Sequence, residues 1–249
     1  MQTQDAFASA YRVLAQRLLA QAPGFARCPP EVVADLIEEA VVTRAAAREL
    51  LLRRNEHSDH LLLVVEGALE ARIDLGGGRR HLLSFMLPGM LAGYLSFLDQ
   101  GVQPHDLVAH VPSVLLRMPE AAVRRLCRTR FELGQAFQTQ LAARLRLMYE
   151  LHAYSLSFSL RDRLTRQLVM LADSVGVRRG EQWMLDVQMS QADLADLLGA
   201  GRQAINAELQ RLQDEGLVSI GRSRIRVLDL AALRARIPEG LPAALLRIV

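Results

Sequence analysis

The chain has 249 residues, 51% of them hydrophobic, which admits one large domain or two modest ones with real cores and excludes a disordered chain. Its 30 basic residues, every one an arginine, outnumber 27 acidic ones for a net charge of +3. This is no polybasic protein, so nucleic-acid binding would have to rest on locally placed charge. Two cysteines, Cys28 and Cys127, form no Cys-x-x-Cys pair and cannot supply the usual four ligands of an iron–sulfur cluster. Arginines and acids interrupt every apolar run short of membrane-spanning length, and Tyr11 to Ala20 is an amphipathic helix without a signal-peptide core. The expectation is a soluble, cytoplasmic protein with no membrane partner.

In chain order, residues 1–45 read as helical, broken at Cys28-Pro-Pro30, with a second helix over Glu31 to Val42. From Arg48 to Arg117 the texture changes to short β-type runs. Leu61-Leu-Leu-Val-Val65 and Ala68-Leu-Glu-Ala-Arg-Ile73 join through Glu66-Gly67, a turn follows at Gly76-Gly-Gly78, and His81 to Leu87 leads into Pro88-Gly89. Ser113 to Met118 is the last strand. Many short strands at near-regular spacing predict a β-sandwich or jelly roll. Helical texture returns at Pro119, and Phe137, Leu141, Leu145, Met148, His152 and Ser155 recur at alternating spacings of four and three, the seam of a long helix with a partner. That partner is either the roll of the same chain or the same helix of a second subunit, and the dimer is favoured because so long a helix has a seam to spare. Ser159 then caps a helix patterned on Leu160, Arg163, Leu164, Leu168 and Leu171.

The run from Ser190 to Leu212 carries the most chemistry. Ser190 with Asp193 three residues on makes a capped start, Leu194, Leu197 and Leu198 form a one-sided stripe, and Gly199 supplies a positive-φ turn. In the second helix Ile205, Leu209 and Leu212 face inward while Arg202, Gln203, Asn206 and Arg211 face out. Two helices with such a turn are the helix-turn-helix pattern, whose second helix lies in the DNA major groove. Val218-Ser-Ile220 and Ile225-Arg-Val-Leu228 flank Gly221-Arg-Ser-Arg224, a hairpin that makes the unit winged and puts Arg222 and Arg224 near phosphates. The expected DNA-contacting set is Ser190, Gln191, Arg202, Gln203, Asn206, Arg222 and Arg224.

The order of these parts resembles the Crp/Fnr superfamily of bacterial transcription regulators from about Arg48 to Leu228. The residues that carry it are Val64-Val-Glu-Gly-Ala-Leu69, Leu87-Pro-Gly-Met-Leu-Ala-Gly93, Arg163-Leu164 with Leu168 to Ala172, and the run from Ser190 to Leu212. The resemblance implies an α+β fold in three parts: N-terminal helices and a jelly-roll-like β-roll sensor domain over 1–130, a dimerisation helix over 131–158, and a winged helix-turn-helix domain over 159–249. It also implies a homodimer on a near-palindromic site in double-stranded DNA, with RNA polymerase as a further partner. An enzyme or sugar-binding protein built on the roll is the rival class, but no clustered ligands or nucleophile–base pair are visible. A regulator that has lost DNA binding and acts as an adaptor stays open.

The sequence departs from the family at two places. Cyclic-AMP receptors hold the ribose and phosphate with a Gly-Glu-Leu triplet and an Arg-Ser pair; here these match Gly93-Tyr94-Leu95 and Pro104-His105, while Met148-Tyr149 matches the Thr-Ser pair that meets the adenine. A buried cyclic phosphate without an arginine is an uncompensated charge, so cyclic AMP is not expected. Gly93, Tyr94, Leu95, His105, Met148 and Tyr149 either line a pocket for another small ligand or fill it. No cofactor is expected; haem on one of the six histidines, or oxidant sensing by Cys127 beside Arg124, Arg125 and Arg128, is the alternative. His57-x-x-His60 is too short and isolated to be a metal site. On the recognition helix the family's Arg-Glu-x-x-x-Arg becomes Arg202-Gln-Ala-Ile-Asn-Ala207, so only the first arginine survives. Gln203 suits adenine, and the half-site should differ from the family's common TGA core.

Overall fold

The computed structural model describes residues 2–75, 80–179, 182–185, 189–221 and 225–238, with backbone alone for 2–5, 174–179 and 182–185. The chain divides into two units, one of residues 1–74 and 83–145, the other of 75–82 and 146–248. The α+β class and the order of roll, long helix and winged domain are as the sequence predicts. Gly76 to Gly78 lie outside the described residues.

The first unit opens with α1 (Gln2–Leu19), a 3-10 turn at Phe25–Arg27 and α2 (Pro30–Glu38), which has proline at its first position. The predicted second helix ends early. Val41 and Val42 belong instead to β1 (Val41–Ala45), whose β-branched run pairs antiparallel with β8 from Val41 opposite Arg117 to Ala45 opposite Ser113. The strands that follow are β2 (Leu50–Leu52), β3 (His60–Glu66), β4 (Leu69–Asp74), β5 (Arg80–Met86) and β6 (Leu91–Ala92). After α3 (Tyr94–Asp99) come β7 (Asp106–Ala109) and β8 (Ser113–Pro119). They form two four-stranded sheets, ordered β1-β8-β3-β6 and β2-β7-β4-β5. β3 is buried from Leu61 to Val65. Leu61, Leu63 and Val65 join the core under the helices, and Leu62 and Val64 turn to the opposite face by alternation, which is why the run reads as continuous rather than alternating.

Helices α4 (Glu120–Thr129) and α5 (Phe131–Ser157) follow. The start of α5 belongs to the roll's own core. Phe137 is fully buried, its ring edge-on to Phe25 and tilted against Phe97 with centroids 5.3 Å apart in both cases, and Leu141 packs on the same cluster. The predicted intersubunit seam is thus corrected at its N-terminal end, because Phe137 and Leu141 are already covered by their own chain. From there the stripe is open: Leu145, Met148, His152 and Ser155 are exposed. Gly24 makes the docking of α5 possible, since a Cβ there would lie 2.0 Å from the Ala136 carbonyl oxygen. Gly24→Ala should therefore destabilise the unit by about 1–3 kcal/mol through overpacking, read as a lower midpoint in denaturant at constant slope.

The second unit begins with α6 (Leu160–Val175), capped by Ser159. The Ser159 N–H donates to Asp162 Oδ2 and the Asp162 N–H returns to Ser159 Oγ, each at 3.2 Å. Leu164, Leu168, Leu171 and Ala172 are fully buried. Then come β9 (Gly176–Arg179), β10 (Gln182–Leu185), α7 (Gln191–Leu198), α8 (Arg202–Asp214), β11 (Val218–Ile220), β12 (Ile225–Val227) and α9 (Leu230–Ala235). The predicted two-stranded wing is half of a four-stranded sheet ordered β11-β12-β10-β9.

Candidate DNA interface and effector pocket

Local chemistry fixes α7. Ser190 Oγ accepts the Asp193 N–H at 3.1 Å while the Ser190 N–H donates to Asp193 Oδ2 at 2.8 Å, a reciprocal capping box. Ser190 also donates its hydroxyl to Asp193. It positions the helix rather than offering a free hydroxyl to a ligand. Gly199 ends α7 at φ 59°, and Arg163 on α6 donates to the Leu198 carbonyl at 3.0 Å, satisfying one of the orphan acceptors of the helix end.

α8 is held by Ile205, Leu209 and Leu212, all fully buried, and turns Arg202, Gln203, Asn206 and Arg211 outward. Arg211 pairs with Glu208 at 2.6 Å, whereas Arg202, Gln203 and Asn206 carry no ion pair or side-chain hydrogen bond among the described residues. A cleft of about 450 Å³ opens beside them, lined by Ser190 and Gln191 at the start of α7, by Arg202 and Asn206 on α8, and by Gly221 after β11. A helix start and a guanidinium facing one concavity suit a phosphate or a base edge. The expected contacts Arg222 and Arg224 lie outside the described residues.

The family's nucleotide positions divide. Tyr94 at the start of α3 is buried, and burial raises its phenol pKa. Burial also lowers the pKa of His105, which lies beside the Asp106 carbonyl at 3.2 Å, so the imidazole is neutral at pH 7. Both feel the positive charge of Arg144 on α5, whose guanidinium donates to Ser84 Oγ on β5 at 3.3 Å. No carboxylate among the described residues pairs with Arg144. The Arg-Ser position offers no guanidinium, but one stands near Tyr94 and His105 from α5, at a residue that motif matching does not single out. Leu95 and Met148 are exposed and Tyr149 is 68% exposed. Gly93 adopts φ 83° before α3.

The two cysteine thiols are both half-buried. Burial pushes the Cys127 thiol up to about 11 despite Arg124 nearby, and burial raises Cys28 as well, which disfavours the thiolate form of both. His60 pairs with Asp59 and His110 with Glu70. Among the described residues no three His, Cys, Asp or Glu side chains are grouped to hold a metal, and no helix is long and apolar enough to cross a membrane.

Comparison with known proteins agrees with this geometry. Residues 42–130 match the cyclic nucleotide-binding domain and residues 162–236 the Crp-like helix-turn-helix domain. A cyclic AMP receptor protein of Thermus thermophilus is 30% identical over 174 residues, 70% of this chain and 77% of the relative. A CRP-like cAMP-activated global transcriptional regulator of Mycobacterium tuberculosis is 24% identical over 88% of this chain and 98% of its own. The crystal structure of a CRP-family transcriptional regulator from Thermus thermophilus superposes with a TM-score of 0.67 at 26% identity, covering 81% of this chain and 99% of that one.

Proposed function

The chain belongs to the Crp/Fnr superfamily of transcription regulators, and we propose that it works as a homodimer that reads a near-palindromic DNA site. The observation that carries the reading is α8: an apolar face locked into the unit, with Arg202, Gln203 and Asn206 unpaired among the described residues on the other face, beside the start of α7. Two such helices enter successive major grooves about 34–36 Å apart. Arg202 reads guanine, Gln203 reads adenine N6 and N7, and Ala207 leaves its base unread by hydrogen bond. Selection of binding sites from random DNA should return an inverted repeat with half-sites about one helical turn apart and without the TGA core. Recovery of that core would sink the proposed reading of α8, and recovery of no sequence at all would support the adaptor reading instead.

Arg144 favours a second statement, about the signal. A half-buried guanidinium without a carboxylate partner among the described residues, next to a neutral imidazole and a phenol, suits an anionic effector. The carboxylate that accepts a ribose hydroxyl in cyclic-AMP receptors is still absent at Tyr94, so the anion need not be a cyclic nucleotide. An effector at a hundred times its Kd raises stability by about 2.7 kcal/mol. In a thermal-shift screen of nucleotides and organic acids, that increase should appear with one anion and vanish in Arg144→Ala; an increase that survives the substitution refutes the assignment.

A further inference from the structure

A second cleft, of about 430 Å³, lies in the first unit and shares no side chain with the cluster of Tyr94, His105 and Arg144. Its volume falls within the range of small-molecule sites. One wall is α4, where the spacing of four places Glu120, Arg124 and Arg128 on one face. The other walls are His57 and Ser58, in the loop before β3, and Ser96 and Gln100, on α3 and at its end.

These groups are not equivalent. Arg124 donates to Glu120 Oε1 at 2.5 Å and to the Phe97 carbonyl at 2.7 Å, with its guanidinium 4.7 Å from the Phe97 ring centroid. It is fixed, and it offsets the one carboxylate of the cleft. Ser96 Oγ donates to the Gly93 carbonyl and accepts from Gln103, and Ser58 Oγ donates to the His60 carbonyl, so both hydroxyls serve the fold. Three donors remain uncommitted among the described residues: the Arg128 guanidinium, the His57 ring and the Gln100 amide. Gln100 holds φ at 58°, a left-handed conformation that costs a non-glycine residue free energy and sets where its Cα stands at the rim. One unpaired cation and two further hydrogen-bond donors, set on three different elements around a concavity, match a group with several acceptor oxygens and negative charge.

We propose that this cleft binds a small phosphate-bearing molecule, with Arg128 contacting the phosphate directly and His57 and Gln100 donating to its remaining oxygens. The room beyond these donors accommodates the rest of the molecule. The site is independent of both the Arg144 cluster and the DNA interface.

The test is isothermal titration of the full-length protein, at constant ionic strength in chloride, with inorganic phosphate and with ribose 5-phosphate. Because the cleft beside Arg202 also suits phosphate, the titrations are run in an Arg202→Ala background as well. Saturable binding at millimolar concentration or tighter is expected, unchanged by Arg202→Ala and weakened at least tenfold by Arg128→Gln. Arg128 is exposed, so this variant should keep the parent's circular dichroism and operator affinity. Tighter binding of the ester assigns the site to a phosphorylated metabolite, and equal binding of the two probes assigns it to free phosphate. Absence of saturation with both probes, or binding indifferent to Arg128→Gln, overturns the proposal.

Discussion

Replacing Leu145 and Leu156 together by glutamate should turn the regulator into a monomer at micromolar concentration and weaken operator binding by about 10²–10⁴-fold. Leu145 is 51% and Leu156 75% exposed, and with Tyr149 and His152 they follow the spacing 145–149–152–156, a heptad-like stripe on α5. Apolar side chains in that arrangement are the normal mark of a surface covered by a partner. A twofold axis along the stripe brings each residue close to its own copy, so each glutamate meets a like charge in place of an apolar contact. The loss in DNA binding follows from geometry. A dimer holds its second recognition helix at millimolar effective concentration once the first is docked, and a monomer has no such advantage. Both positions are on the surface of the isolated chain, so circular dichroism and single half-site binding should be preserved. Light scattering coupled to size exclusion reads the first effect and a gel shift on the full palindrome the second. A variant that stays dimeric would move the interface off this stripe.

The parts legible in the sequence are those whose physics is local. Ser159 with Asp162 and Ser190 with Asp193 are hydrogen-bonded pairs three residues apart, so the helix starts can be read without tertiary structure. The inward Ile205, Leu209 and Leu212 need only the helical period. The misreadings all concern partners distant along the chain. Val41 and Val42 continue an apolar helical pattern, yet pairing with Arg117 and Leu116 on β8 draws them into a strand. Phe137 and Leu145 share one periodic stripe, and periodicity does not say that the roll covers the first and leaves the second open. Strands β9 and β10 are only four residues each, and make sense only as a hairpin that β10 joins to β12. Arg144 reads in the sequence as one more solvated arginine of a long helix, and only the fold carries it to Ser84, Tyr94 and His105.

Arg202 offers the sharpest test of how the DNA site is read. It stands at the first position of α8, exposed, unpaired among the described residues, and turned to the cleft it shares with Gln191 and Asn206. A bidentate contact from arginine to guanine O6 and N7 discriminates by about 1–3 kcal/mol. In a symmetric dimer the contact is made twice, so Arg202→Ala should cost about 2–6 kcal/mol on the selected palindrome, a factor of about 30 to 10⁴. The same variant should bind almost as well when that guanine is replaced in both half-sites, because the parent protein then loses the contact too. Gln203→Ala is the matched comparison, with a loss confined to the base pair that Gln203 reads. The pattern of losses across substituted operators decides the chemistry. If Arg202→Ala weakens every sequence by one common factor and lowers the salt dependence by about two phosphate contacts per dimer, Arg202 holds the backbone at the start of α7. Base recognition would then rest on Gln203 and Asn206 alone, and the half-site would be read mainly through adenine.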